Sequence, residues 1–199
     1  MRSIVEAVTG LDVRAVISNR PGAKGLEWAT SRGIETRVVN HAAHESREGF
    51  DAALAQAVDA YQPQLVVLAG FMRILGNGFI GRYPRRIVNI HPSLLPSFPG
   101  LHTHRRALEA GVKIHGATVH VVTAALDGGP IVVQGAVPVA AGDTEESLAA
   151  RVLEVEHRIY PQAVRWFVEG RIDFDDDGLV KVRGAGASTE QLIAPGKLQ

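Results

Sequence analysis

The chain of 199 residues contains no cysteine and has no net charge, with 21 basic and 21 acidic side chains. The absence of cysteine excludes disulfides, iron–sulfur clusters and thiolate zinc sites. Because charges of both signs are interspersed, no overall field attracts nucleic acid or an anionic membrane. The longest apolar run, residues 65–69, is too short to cross a bilayer, and Glu6 comes too early for a signal peptide. We therefore expect a soluble cytoplasmic protein with no nucleic-acid or membrane partner.

Short β-branched runs alternate with longer segments of helical periodicity, which is typical of a mostly parallel, doubly wound α/β sheet flanked by helices. Strands are predicted over residues 13–18, 35–39, 65–69, 86–90, 117–122 and 131–137. Helices are predicted over residues 1–8, 24–31 and 47–61, and from Thr144 to Gly170 with a kink at Pro161.

The end of the chain differs in composition from the rest. Residues 172–174 and 179–182 flank an Asp-rich turn and predict a hairpin. From residue 184 onward Gly, Ala, Ser and Thr dominate, which predicts a mobile tail over 184–199. With 46% hydrophobic residues, the chain has enough apolar material for one domain over residues 1–183.

An amide and an imidazole lie at the end of the fourth predicted strand, where Asn89 and His91 precede Pro92. Open α/β sheets present their chemistry at such strand ends. Two donors of this kind can stabilise a developing oxyanion, and a carboxylate such as Asp127 can accept a proton or keep an imidazolium charged. With no Ser or Cys beside these groups, we predict transfer without a covalent enzyme intermediate.

The histidines further along admit two interpretations. His102 and His104, with His91, His115 and His120, suggest a metal site, although they are better suited to lining a polar cleft, and we predict no metal. His102 also lies where it could cap a helix that begins near Arg105.

The segment after the third predicted strand is apolar where a loop is usually polar. A flat heterocycle could lie against Phe71, Ile74 and Leu75 while backbone groups bind its edge. Ordinary packing beneath a helix is the alternative.

These motifs together resemble the phosphoribosylglycinamide formyltransferases, the folate-dependent transformylases of purine synthesis. The matching segments, in the family's order, are residues 70–75, 89–96, 100–104, 116–120, 126–130 and 156–161. Related enzymes share Asn89, His91 and Asp127, so these three residues indicate only the superfamily. Residues 101–104 and Pro92 favour the glycinamide ribonucleotide enzyme over methionyl-tRNA formyltransferases and formyltetrahydrofolate deformylases.

The resemblance implies a Rossmann-like fold and direct formyl transfer from the cosubstrate 10-formyltetrahydrofolate to glycinamide ribonucleotide. Asn89 and His91 would stabilise the oxyanion, and Asp127 would assist proton movement. The folate would be bound by Leu68, Phe71, Met72, Arg73, Ile74, Leu75, Ile87, Val122 and Asp127. The ribonucleotide would be bound by Arg47, Met72, Pro92 and Glu156, within a cleft supported by His102, His104 and His120. Leu153 departs from the family, which usually has a polar side chain there.

The start of the chain departs from the family more strongly. Family members begin with a central strand and a Gly-x-Gly-Ser-Asn phosphate loop, and Met1 corresponds to the residue just after that loop. The resemblance therefore implies that two neighbouring strands face a gap with unpaired backbone groups, and that the chain folds poorly. We expect the natural protein to carry about 15–20 further residues before Met1, which the upstream codons would test.

Two other functions remain open from the residues alone. Without a phosphate loop, the chain could be a formyltetrahydrofolate hydrolase, with water as acceptor, or a folate-binding remnant without turnover. A monomer and a homodimer are equally compatible with the sequence.

Overall fold

The computed structural model describes residues 1–186 together with Leu192 and Ala194. The helices are α1 Arg2–Ala7, α2 Lys24–Ser31, α3 Arg47–Asp59, α4 Asn77–Ile80, α5 Thr103–Glu109 and α6 Glu145–Val168, with a 3-10 turn at His41–Ala43. The strands are β1 Val16–Ser18, β2 Thr36–Val38, β3 Val66–Leu68, β4 Ile87–His91, β5 Ile114–Val121, β6 Ile131–Pro138, β7 Ile172–Phe174 and β8 Val180–Val182. Most of the predicted tail over 184–199 lies outside the described residues.

The main sheet has four strands in the order β3-β4-β5-β6. Strand β3 is parallel to β4, whereas β4–β5 and β5–β6 are antiparallel. The α/β class is confirmed, but the strand directions are mixed rather than mostly parallel. The segment between β5 and β6, residues 122–130, contains no crossover helix and is too short for a parallel connection, so β6 returns antiparallel.

A second, separate sheet consists of the parallel pair β1–β2. The backbone of Val16 and Ser18 bonds to β2 or to its flanks, so Ile17 directs its N–H and C=O to the other side. In β3 the N–H of Val66 bonds toward β4, so Val67 likewise points away from its partner strand. Among the described residues no ladder joins β1 to β3.

Two apolar clusters hold the helices against the strands. The larger one packs α6, through residues such as Leu148 and Val152, against Val88 and Val119 of the main sheet. The smaller one surrounds Phe50 of α3 and includes residues of β3, β4 and α4; Ile17 of β1 also packs on it. The larger cluster therefore fixes α6 against the strands, and the smaller cluster fixes α3.

Helix α6 begins with a reciprocal capping box between Thr144 and Ser147 and continues to Val168. It runs through Pro161 without interruption, although the proline ring provides no N–H for the helical ladder. The predicted terminal hairpin is confirmed, since β7 and β8 pair antiparallel. Within the described part of the chain, no helix is long and apolar enough to cross a membrane.

Candidate active site

The register between β4 and β5 places four polar side chains on one face of the sheet. Asn89 lies opposite His120, and His91 lies opposite Thr118. Because side chains alternate along a strand, all four share a face, while Val88 and its alternate neighbours point into the larger core. The spacing of two residues in each strand is therefore sufficient to assemble a polar patch.

The amide of Asn89 is oriented by His120. Its Nδ2 lies 3.3 Å from Nε2 of His120, and Nδ1 of the same ring lies 3.2 Å from the carbonyl oxygen of Val121. Burial lowers the pKa of His120, so the ring is neutral near pH 7. A carbonyl only accepts, so Nδ1 carries the proton and Nε2 accepts from Asn89. Among the described hydrogen bonds, the second N–H of this amide has no partner.

The carboxylate of Asp127 lies between two imidazoles. Its Oδ2 is 3.5 Å from Nδ1 of His91, and its Oδ1 is 3.9 Å from Nε2 of His120. Asp127 has a left-handed backbone, with φ at 49°, and the N–H of Gly100 donates to its Oδ2 at 2.8 Å. The other nitrogen of His91, Nε2, lies 3.0 Å from the carbonyl oxygen of Phe98. His91 therefore turns Nδ1 toward the carboxylate.

Asn89, His91 and Asp127 thus converge, as the sequence predicts. His91 is 6% exposed, and the side chain of Asp127 is 11% exposed, so the patch is largely shielded from water. Exposed apolar side chains adjoin the residues that hold it: Leu126 precedes Asp127, and Leu101 follows Gly100. This arrangement provides a polar floor with an apolar rim.

The loop predicted to bind a heterocycle begins beside the polar patch, since Leu68 pairs with Asn89 in the register of β3 and β4. Of the predicted folate residues, Leu75 and Ile87 lie inside the smaller core, and Leu68, Phe71 and Val122 pack partly buried against it. Those that are exposed are Met72, Arg73 and Ile74. The loop therefore combines a buried anchor with accessible side chains, and core packing accounts for the buried ones.

A hydrogen-bond network that the sequence does not reveal holds the segment after β4. The hydroxyl of Thr118 donates to the carbonyl of Ser93 at 2.7 Å and accepts from the N–H of Leu95 at 3.0 Å. The amide Nε2 of Gln134 donates to Leu95 O at 2.8 Å and lies 2.9 Å from the Thr118 hydroxyl. The only local signal is that Thr118 stands two residues before His120, on the same face.

Of the remaining histidines, His104 and His115 contact each other, whereas His102 lies at the start of α5. Nε2 of His115 lies 3.3 Å from Nδ1 of His104, and burial lowers the pKa of both rings, that of His115 to about 4. His102 occupies the cap position of α5 in a left-handed conformation, but its side chain makes no capping bond. His102 therefore has the predicted position at the start of the helix, but it does not cap the helix with a side-chain hydrogen bond. In the described part of the chain, no group of three or more His, Asp or Glu side chains is arranged for a metal ion.

The predicted nucleotide residues lie on α3, on α6 and in the segments that follow β3 and β4. Arg47 is the first residue of α3, and its side chain is 46% exposed. Glu156 is half-buried on α6, and burial raises the pKa of its carboxyl. One turn later, the hydroxyl of Tyr160 donates to the carbonyl of Leu68 at 2.6 Å, which fixes this part of α6 beside the end of β3. Neither Arg47 nor Glu156 contacts the convergent group directly in the described hydrogen bonds.

A family model described as formyl transferase matches residues 4–164. The chain belongs to the formyl transferase family. It is 52% identical over 165 residues to a phosphoribosylglycinamide formyltransferase of Escherichia coli (strain K12), covering 83% of this chain and 78% of that protein. Its structure is similar to the crystal structure of glycinamide ribonucleotide transformylase 1 from Symbiobacterium toebii, with a TM-score of 0.87, 48% identity, and coverage of 91% and 87% of the two chains.

Another relative within the formyl transferase family is much longer. The trifunctional purine biosynthetic protein adenosine-3 of Gallus gallus is 44% identical over 169 residues, which cover 85% of this chain. The chain spans only 17% of that protein. The similarity therefore concerns one segment of it and none of its remaining length.

Proposed function

We propose that the protein transfers the formyl group of 10-formyltetrahydrofolate to the amine of glycinamide ribonucleotide, in de novo purine synthesis. The products are formylglycinamide ribonucleotide and tetrahydrofolate. The observation that carries the proposal is the convergence of Asn89, His91 and Asp127 on one shielded face. The names of the E. coli relative and the Symbiobacterium structure, at 52% and 48% identity, support the same reaction.

The polar floor accounts for the first step. The lone pair of the amine nitrogen attacks the formyl carbon, and the carbonyl electrons move to oxygen. The second N–H of Asn89 donates to this oxyanion, and the imidazole of His91 stabilises it as well. Both side chains are oriented before the substrate arrives. One N–H of Asn89 is bonded to His120, and Nε2 of His91 is bonded to the carbonyl of Phe98.

The second step requires a proton transfer. The attacking nitrogen loses one proton, the bond from the formyl carbon to N10 of the folate breaks, and N10 gains one proton. Asp127 accepts the proton through a water and supports its return to the leaving nitrogen. The Gly100 N–H, which donates to its Oδ2, and the ring of His91 beside it hold the carboxylate in place for this exchange.

The substrates would lie on opposite sides of the floor. The β3–α4 loop, residues 69–76, and the segment from Val122 to Asp127 bind the pterin of the folate. Arg47 binds the ribonucleotide phosphate, and Glu156 binds its ribose, with Met72 and Pro92 between the two substrates. A cytoplasmic location, where free folates and nucleotides meet, belongs to the same proposal.

The test uses purified protein and 10-formyltetrahydrofolate, with and without glycinamide ribonucleotide, and measures formylated nucleotide and free formate. We expect nucleotide-dependent product and little formate. Formate release without the nucleotide would identify a hydrolase, and folate binding with neither product would identify a non-catalytic binding protein. Either result would overturn the proposed transfer.

A further inference from the structure

The β3–α4 loop is attached to helix α3 at two points. The backbone N–H of Gly76 donates to Oδ2 of Asp51 at 2.7 Å. The guanidinium of Arg73 lies over the ring of Phe50, 5.3 Å from its centroid. Asp51 and Phe50 are neighbours on α3, one turn from the helix start. The loop is thus held by the same turn of helix that follows Arg47.

The contact between Asp51 and Gly76 is close. A Cβ at position 76 would lie 2.7 Å from Oδ2 of Asp51, so a side chain there would displace the carboxylate. The Asp51 side chain is 10% exposed, and its Oδ1 is buried without a hydrogen-bond partner in the described structure. Burying a carboxylate that is only half satisfied costs free energy, which indicates a role beyond the stability of the helix.

The same carboxylate also faces Arg47. Nε of Arg47 lies 3.9 Å from Oδ2 of Asp51, one helical turn away. This separation restrains the guanidinium through charge but is too long for a hydrogen bond. The donors of Arg47 therefore remain available to an anion while the side chain is held near position 76, where an added Cβ would lie 3.7 Å from Nη2 of Arg47.

We propose that Asp51 is a positioning residue that fixes the two substrate subsites relative to each other. It holds the β3–α4 loop for the folate through Gly76 and holds Arg47 for the nucleotide phosphate through its charge. This inference rests on the proposed function. Asp51 has no contact with Asn89 or His91, which lie on β4, so it acts on binding and leaves the transfer step alone.

Three variants test the two contacts, and Asp51→Asn separates them. Asp51→Ala removes both, and we expect the KM for folate and the KM for glycinamide ribonucleotide each to rise about tenfold, with kcat within about twofold. Asp51→Asn keeps an acceptor for the Gly76 N–H but loses the charge, so mainly the nucleotide KM rises. Gly76→Ala displaces the same carboxylate without replacing it, so both KM values should rise, as in Asp51→Ala.

Asp59 provides the matched control. It is a carboxylate at the other end of α3, and it accepts from the hydroxyl of Tyr83 and from Arg82 at 2.5 Å. Asp59→Ala removes comparable carboxylate hydrogen bonds from α3 without changing a residue of either subsite. We expect it to lower the denaturant midpoint while both KM values stay within about twofold of the parent.

Two outcomes would overturn the role of Asp51. In one, Asp51→Ala leaves both KM values unchanged; in the other, Asp59→Ala raises them equally at the same loss of stability. Failure of the proposed function is recognised separately, because the parent protein then forms no formylated nucleotide. In that case calorimetric titration of each variant with 10-formyltetrahydrofolate still tests the loop contact, and an Asp51→Ala protein that binds as tightly as the parent would refute it.

Discussion

The side chains of Asn89 and His120 face each other across the antiparallel β4–β5 pair, with the amide Nδ2 of Asn89 3.3 Å from the ring Nε2 of His120. The histidine is buried and neutral, so it determines which way the amide points. A catalytic donor is thus oriented by a residue that need not touch the substrate.

His120→Phe keeps the ring but removes the acceptor, which frees the Asn89 amide to rotate. We expect kcat to fall about tenfold, corresponding to the loss of one hydrogen bond. His120→Gln offers an amide oxygen at a similar reach and should recover part of the rate. Steady-state kinetics at saturating substrates provide the measurement. A His120→Phe protein with the parental kcat would show that Asn89 is oriented by other means.

Asp127→Asn keeps an acceptor for the Gly100 N–H but cannot take up a proton. We expect turnover to fall about a hundredfold or more, while the dissociation constant for folate changes only a few-fold. Asp176→Asn, at an exposed position in the terminal hairpin, is the control for removal of one negative charge. Single-turnover rates and folate titrations distinguish the two effects. Near-normal turnover in Asp127→Asn would refute the proton role.

Thr118→Val should destabilise the protein by about 1–3 kcal/mol. The substitution is nearly isosteric, but it leaves the Leu95 N–H and the Ser93 carbonyl without their buried partner. Gln134→Leu removes the second partner of Leu95. Urea unfolding of both single variants and the double variant measures the coupling, which should differ from zero by at least 0.5 kcal/mol on the scale typical of shared networks. Simple additivity would mean that the bonds act independently.

The buried His115 predicts a loss of stability in weak acid. Its pKa is lowered to about 4 in the folded protein, mainly by burial, from 6.5 in the unfolded chain. Below pH 6.5 His115 binds a proton in the unfolded chain but not in the folded protein. The free energy of unfolding therefore decreases as the pH falls toward 4. The difference corresponds to about 3 kcal/mol, at 1.36 kcal/mol for each pKa unit.

His115→Phe should remove this part of the pH dependence. Urea unfolding at pH 7.5 and pH 5 gives the comparison, and the exposed His157 provides a control substitution, His157→Phe. His104, whose pKa is also lowered, should retain its own smaller contribution. An unchanged pH slope in His115→Phe would show that burial of this ring does not control the acid sensitivity.

The local pattern of apolar residues was sufficient to predict most of the helices and strands. The helix at Lys24–Ser31 has the predicted bounds, and the predicted strands overlap β1 to β6, because hydrophobic periodicity reports which face is buried. The parallel pairs β1–β2 and β3–β4 agree with the prediction, but the antiparallel directions of β5 and β6 were not predicted, since periodicity is the same in parallel and antiparallel strands. The strand predicted over 13–18 is shorter, at Val16–Ser18, where only one side of β1 has a hydrogen-bonded partner.

In the site, residues that are close in sequence were easier to predict than those joined by folding. Asn89 and His91 share a face because they are two apart on one strand, which the sequence shows directly. The contacts of Thr118 with Leu95, and of Asp51 with Gly76, depend on cross-strand register and on how a loop closes on a helix. No local pattern contains that information.

The division between the two sheets affects how the molecule unfolds. Strands β1 and β2 with α2 are joined to the main sheet through side chains such as Ile17 rather than through a shared backbone ladder. Because no backbone ladder joins β1 and β2 to β3 among the described residues, this corner should open as a subglobal unit while β3 to β6 remain closed. Native-state hydrogen exchange would then give a lower free energy of opening for the amides of β1 and β2 than for those of β4 and β5.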